Sequence, residues 1–103
     1  MTIQINTDKN IDGNERFTEY FTSLIEGEFS RYDTITRIEL HLSDENGSKE
    51  GQADKRCLME ARLEGKQPIS VSNVADTHEQ AVDGAIEKLK ASLETIIGKM
   101  KNY

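Results

Sequence analysis

Few residues in this chain have the type and spacing that chemistry needs. Of the two histidines, His41 falls on the polar side of an alternating stretch and His78 lies at the start of a helical one. Metal sites usually need several His, Cys or carboxylate ligands at short spacing, and nothing here has that form, so no metal and no cofactor are expected. The single cysteine, Cys57, cannot form an internal disulfide; it sits at an inward position of an alternating run, where a thiol is inert. Carboxylates are plentiful but scattered over polar faces. The chain has no GxGxxG, GxxxxGKS/T or GxSxG motif. No catalytic residue and no small-molecule substrate are expected. Charge suited to binding remains. Arg37, Arg56 and Arg62 alternate outward from predicted strands, and Lys88, Lys90, Lys99 and Lys101 crowd the second half of the last helical stretch. The arginines fit either of two roles: balancing Glu39, Glu60 or Glu64 across strands, or forming a shared wet face. The lysines fit a helix-end dipole or a phosphate-facing patch.

Periodicity supplies the elements that hold these residues. Val82, Ala85, Ile86, Leu89, Leu93, Ile96, Ile97 and Met100 recur at steps of three and four, which predicts a helix over 76–101 with one buried face. Asp76 or Thr77 can cap it, with Glu79 or Gln80 three residues on. Acidic residues dominate its start and lysines its end, as the helix dipole favours. A first helix over 15–32 carries Phe17, Tyr20, Phe21, Leu24, Ile25, Phe29 and Tyr32, capped by Asp12 or Asn14, with Gly27 a place to bend or fray. Its aromatics are expected in the core; a base-stacking platform would need them exposed on strands. Alternation predicts strands over 2–6, 34–43, 56–64 and 69–74, with Ile3, Ile5, Ile38, Leu40, Leu42, Cys57, Met59, Ala61 and Leu63 inward. Turn formers fill 7–14 and a long polar loop fills 43–55, with Asn46-Gly47 as a hairpin signal.

The order strand, helix, strand, strand, strand, helix gives an α+β class, β-α-β-β-β-α. The first two strands run parallel, the rest antiparallel, and both helices lie on one face of a four-stranded mixed sheet. A chain of 103 residues makes a single domain, 1–103. Thirteen basic and nineteen acidic residues leave a net charge of −6, against indiscriminate binding to nucleic acid or an anionic membrane. No window approaches the roughly 20 apolar residues of a membrane span, and a cytoplasmic location is expected.

Several segments resemble the ribosome hibernation promoting factor family, also called ribosome-associated inhibitor proteins. Thr77 to Leu93 matches best: Ala81-Val82-Asp83 and Glu87-Lys88-Leu89 stand where members show Ala-Ile-Asp and Asp-Lys-Leu. Glu19-Tyr20 is similar to a family Glu-Tyr, Arg31-Tyr32-Asp33 to its Arg-Phe-Phe-Asp helix ending, and Glu64-Gly65-Lys66 to its glycine hairpin. The resemblance implies the same β-α-β-β-β-α domain. It also implies binding to the small ribosomal subunit through the 16S ribosomal RNA backbone, with ribosomal proteins as further partners, in stress-linked control of translation. At matched positions it points to Lys88 and Arg31. The residues' own placement adds Lys90, Arg37, Arg56 and Arg62. Members follow Lys-Leu with Glu-Arg-Gln-Leu, whereas Lys90-Ala91-Ser92-Leu93 has no arginine. Thr22-Ser23-Leu24 stands where members place lysines. A short, divergent member is therefore the expectation, without the dimerisation domain of long members. The alternative is the same fold acting as a protein-interaction module without ribosomal RNA.

Overall fold

The structure is a computed structural model that describes residues 1–8, 14–44 and 54–101, with side chains described through residue 96. Six elements follow in order: β1 (Thr2–Thr7), α1 (Glu15–Phe29), β2 (Ile35–Asp44), β3 (Lys55–Leu63), β4 (Ile69–Ala75) and α2 (His78–Lys101). The sheet order is β1-β2-β3-β4, with β1 parallel to β2 and the other pairs antiparallel. This is the expected α+β arrangement. The proposed 7–14 turn falls largely, and the 43–55 loop and its Asn46-Gly47 turn almost wholly, outside the described residues.

Local chemistry sets the boundaries. Asn14 caps α1, its Oδ1 accepting from the Phe17 N–H at 2.9 Å. Helix α1 runs unbroken through Gly27 and stops at Phe29, three residues short of the expected Tyr32. Thr77 caps α2, its Oγ1 accepting from the Gln80 N–H at 3.1 Å. Gly65 takes φ of 71° in the β3–β4 hairpin, a conformation that costs other residues strain. Pro68 sits just before β4, an edge strand, where its missing N–H breaks no ladder.

The core lies between one sheet face and the two helices. Ile38, Leu40, Leu42, Cys57, Met59, Ala61 and Leu63 meet Phe21, Ile25 and Phe29 of α1 and Val82, Ala85, Ile86, Leu89 and Leu93 of α2, all buried. The helices run parallel: Phe17 stacks edge-on to His78, Glu28 pairs with Lys90, and Tyr32 reaches Glu94. Tyr20 departs from expectation. It is 54 % exposed, because it falls one helical step, about 100°, from buried Phe21 and turns off the core stripe. Gly84 lets α2 press on β4: a Cβ there would lie 2.0 Å from Asn73 Nδ2.

Candidate nucleic-acid interface

The sheet face opposite the helices carries the strand arginines together. Alternation on β2 and β3 turns Arg37, Glu39 and His41, and Arg56, Leu58, Glu60 and Arg62, away from the core. The register sets Arg37 opposite Arg62, Glu39 opposite Glu60, His41 opposite Leu58 and Ser43 opposite Arg56. On β1, Thr2, Gln4 and Asn6 extend these rows beside Arg37, Glu39 and His41. Gln4 and Asn6 are not among the sequence candidates; their alternation with Ile3 and Ile5 is the signal that places them on this face.

Arg37 and Arg62 are charge-balanced along their own strands. Arg37 Nη2 donates to Glu39 Oε1 at 3.1 Å and also to Gln4 Oε1. Arg62 Nε pairs with Glu60 Oε1 at 3.5 Å. Both partners sit two residues away on the same strand, the spacing that returns to the same face. Directly across the ladder the like-charged pairs Arg37–Arg62 and Glu39–Glu60 face each other, an arrangement that disfavours close contact between them. Arg56 borders a shallow depression of about 320 Å³ that also takes in Asn6, His41, Ser43 and Leu58. Asn6 Nδ2 lies 3.4 Å from His41 Nδ1, with Gln4 Nε2 donating to Asn6 Oδ1. The face therefore offers three guanidiniums, amide groups and an imidazole on one rigid surface. Planar guanidiniums suit bidentate recognition of phosphate oxygens.

The remaining predicted residues lie on the helical side and do not converge. Lys88 and Lys90 are two helical steps apart, about 200° around α2, so they leave on different sides. Lys88 Nζ donates to the Ser72 backbone carbonyl at 2.7 Å, over β4. Lys90 pairs with Glu28 of α1 at 2.7 Å, and this hydrogen bond holds its ammonium above the usual lysine range. Arg31 donates to Tyr32 Oη at 2.7 Å and to Glu94 at 3.2 Å, and lies 4.9 Å from the Tyr32 ring centre. The Tyr32 bond raises its pKa further above an already high value. Tyr32 Oη donates to Glu94 at 2.7 Å, closing the network. These cations fasten the helices to each other and to the sheet edge. Lys99 and Lys101 fall outside the described side chains.

The residues weighed for chemistry are accounted for structurally. Cys57 is fully buried, and burial pushes its thiol up to about 12. His41 is exposed on the open face. His78 is not the surface residue that its place at the helix start suggested. Its ring is half-buried, 6.0 Å from the Phe17 ring, and Nδ1 has no hydrogen-bond partner among the described residues. The turn from β4 lays the first residue of α2 against α1, which strand and helix periods alone do not reveal. Burial lowers its pKa, with Lys55 adding to the effect. At that end Lys55 bridges Asp54 at 2.9 Å and Asp44 at 3.3 Å, and both aspartates are buried. Among the described residues no three His, Cys, Asp or Glu side chains are grouped as metal ligands. No helix is long and apolar enough to cross a membrane.

Comparison with known proteins now places the chain. A family model described as "Sigma 54 modulation protein / S30EA ribosomal protein" matches residues 3–101. The chain belongs to this family. It is the hibernation-factor family that its sequence resembles. The fold is similar to the Thermus thermophilus Protein Y N-terminal domain, with TM-score 0.73, 16% identity, and coverage of 93% of this chain and 99% of that one. It is also similar to a ribosomal subunit interface protein from Coxiella burnetii, with TM-score 0.71, 20% identity, and coverage of 95% and 99%. At these identities the likeness concerns the fold. No curated protein matches the sequence.

Proposed function

We propose that this chain binds the small ribosomal subunit by its 16S RNA and modulates translation in stressed or idle cells, without chemistry of its own. Arg37, Arg56 and Arg62 are the principal contacts. Family membership supports the ribosome as partner, and the observation that carries the surface is the gathering of the three strand arginines on the open face. The helices cannot serve equally. On α1 Glu15, Glu19, Glu26 and Glu28 outweigh Arg16, and the first turns of α2 expose Glu79, Asp83 and Glu87. An RNA backbone meets repulsion there and attraction at the sheet. Arg31, Lys88 and Lys90 take a secondary part, since they leave the helical layer in different directions and do not share the face that gathers the strand arginines. A ribosomal partner implies a cytoplasmic location.

Sedimentation with purified ribosomes tests this. Wild-type protein is expected to pellet at about 50 mM salt and to be largely released at about 200 mM, as phosphate contacts require. Arg37→Glu with Arg62→Glu should abolish pelleting at both while far-ultraviolet circular dichroism stays unchanged. Retention of binding by the folded double variant rules out the sheet face. Failure of the wild type to pellet at low salt rules out the ribosome. The engagement of Arg31 and Lys90 in ion pairs with Glu94 and Glu28 favours a second reading, a protein-interaction module of the same fold. Pull-down from nuclease-treated lysate separates the two, because only a protein partner survives loss of RNA.

A further inference from the structure

Among the described residues no strand pairs with the outer side of β4, and the hydrogen bonds identify the groups that face this edge. On β2 the Leu40 and Leu42 carbonyls turn toward β1, where Asn6 Nδ2 and the Asp8 N–H meet them. Successive residues of a strand address its two neighbours alternately. Glu39 and His41 therefore bond toward β3, to Glu60 and Leu58, which leaves Cys57, Met59 and Ala61 bonding toward β4. Their partners there are Asn73, Val71 and Ile69. The N–H and C=O groups of Ser70, Ser72 and Val74 consequently point away from the sheet. The central carbonyl of this row is taken: Lys88 Nζ reaches down from α2 and bonds it at 2.7 Å.

An open strand edge is a template for another strand, and the geometry singles out a second copy of this chain. A two-fold axis through Ser72 pairs β4 with itself, Ser72 opposite Ser72 and Ser70 of one copy opposite Val74 of the other. Val74, 47 % exposed, then packs on a neighbour instead of facing water. Helix α2 lies across β3 and β4. Strand spacing of about 4.8 Å therefore brings the two α2 axes about 10 Å apart, a normal packing distance for helices. Gly84, Lys88, Ala91 and Thr95 share the α2 side turned to that neighbour, at steps of four, three and four, and among them only Lys88 is long. Two Lys88 ammoniums would meet near the axis.

We propose that the β4 edge is a self-association surface that Lys88 holds closed. The ammonium satisfies the carbonyl that an added strand would bond, and it sets like charges against each other across the axis. Self-association through this edge needs no RNA, so its test is separate from that of ribosome binding. Size-exclusion chromatography with light scattering, on the full chain from micromolar to millimolar concentration, gives the mass directly. Wild type and Lys88→Arg are expected to stay monomeric. Lys88→Met, which keeps the stem and removes the charge, is expected to double in mass. Adding Ser72→Pro should restore the monomer, since proline offers no outward N–H and is tolerated on an edge. Circular dichroism verifies that each variant is folded, and Lys88→Ala replaces Lys88→Met should the latter precipitate. A folded charge-removed variant that remains monomeric at the highest concentration overturns the proposal. So does a dimer that survives Ser72→Pro, or a wild type that is already dimeric.

Discussion

Gly84→Ala sets two effects of known size against each other in the helix that carries Lys88. In an exposed helix interior, alanine is more favourable than glycine by about 1 kcal/mol. Here the added methyl would lie 2.0 Å from Asn73 Nδ2 and 2.5 Å from its Cγ, so one of the two must move. The Asn73 amide is not free to swing away without loss, because it donates to the Gln80 and Ala81 carbonyls at 3.4 and 3.3 Å. Overpacking of a tight contact costs about 1–3 kcal/mol, and the two amide bonds are long enough to add only at the low end of the hydrogen-bond range, about 0.5 kcal/mol each. The net expectation is destabilisation by about 1–3 kcal/mol. Removing the obstacle exposes the sign: in an Asn73→Ala background, Gly84→Ala should stabilise by about 1 kcal/mol. The coupling energy between the sites is then about 2–4 kcal/mol, measurable by urea denaturation of the four proteins in a double-mutant cycle. If Gly84→Ala alone stabilises by the full propensity difference, α2 does not press on β4 as described. The placement of Lys88 over the edge falls with it.

Two further outcomes follow from burial. His78 has its pKa lowered by burial and by Lys55, against opposing contributions from Asp44, Glu79 and Asp8. The unfolded chain therefore takes up the proton first as pH falls through the ordinary histidine range near 6.5. The stability that the neutral ring contributes is complete above that range and is lost progressively below it. Urea midpoints at pH 7.5 and about 5.5 should differ more for wild type than for His78→Phe, which keeps the edge-on contact with Phe17 without the titration; equal differences would sink this account. Cys57, held near 12 and fully buried, should react with a thiol reagent only through unfolding. Labelling that is as fast in water as in denaturant contradicts its burial.

The two periodicities made most of the fold readable before any coordinates. Period two separates Ile38, Leu40 and Leu42 from Arg37, Glu39 and His41, and the structure buries the first set and turns the second to the open face, with His41 exposed and Arg37 and Glu39 half-buried. Period 3.6 did the same for α2, because a long helix on a sheet buries one continuous stripe. Tyr20 escaped this logic, since it borders the apolar stripe in sequence but its angle carries it into solvent. His78 and Gly84 escaped for another reason: each is defined by a neighbour distant in the chain, Phe17 in one case and Asn73 in the other. No spacing rule within α2 encodes either contact. The i, i+2 spacing of Arg37 with Glu39 and of Glu60 with Arg62 already allows pairing along each strand, whereas only the register shows that the residues directly across the ladder are like-charged.

The basic residues show most clearly what tertiary structure adds to a charge pattern. Lys88 and Lys90 look like one patch in sequence, yet the helix parts them, one to the Ser72 carbonyl and one to Glu28. Arg37, Arg56 and Arg62 are spread over 26 positions, yet antiparallel pairing brings them to one face. A chain with net charge −6 can still approach a polyanion if its cations share a surface and its anions occupy another. That division is partial here: Arg37, Arg56 and Arg62 outnumber Glu39 and Glu60 on the open sheet face, and the helical carboxylates lie on the opposite layer. Approach by the helical layer is repelled and approach by the sheet is not, so the same charges that weaken binding overall orient it. Reversing charge at Arg37 and Arg62 should therefore cost more than reversing it at Lys88 and Lys90, although the lysines are the closer pair in sequence.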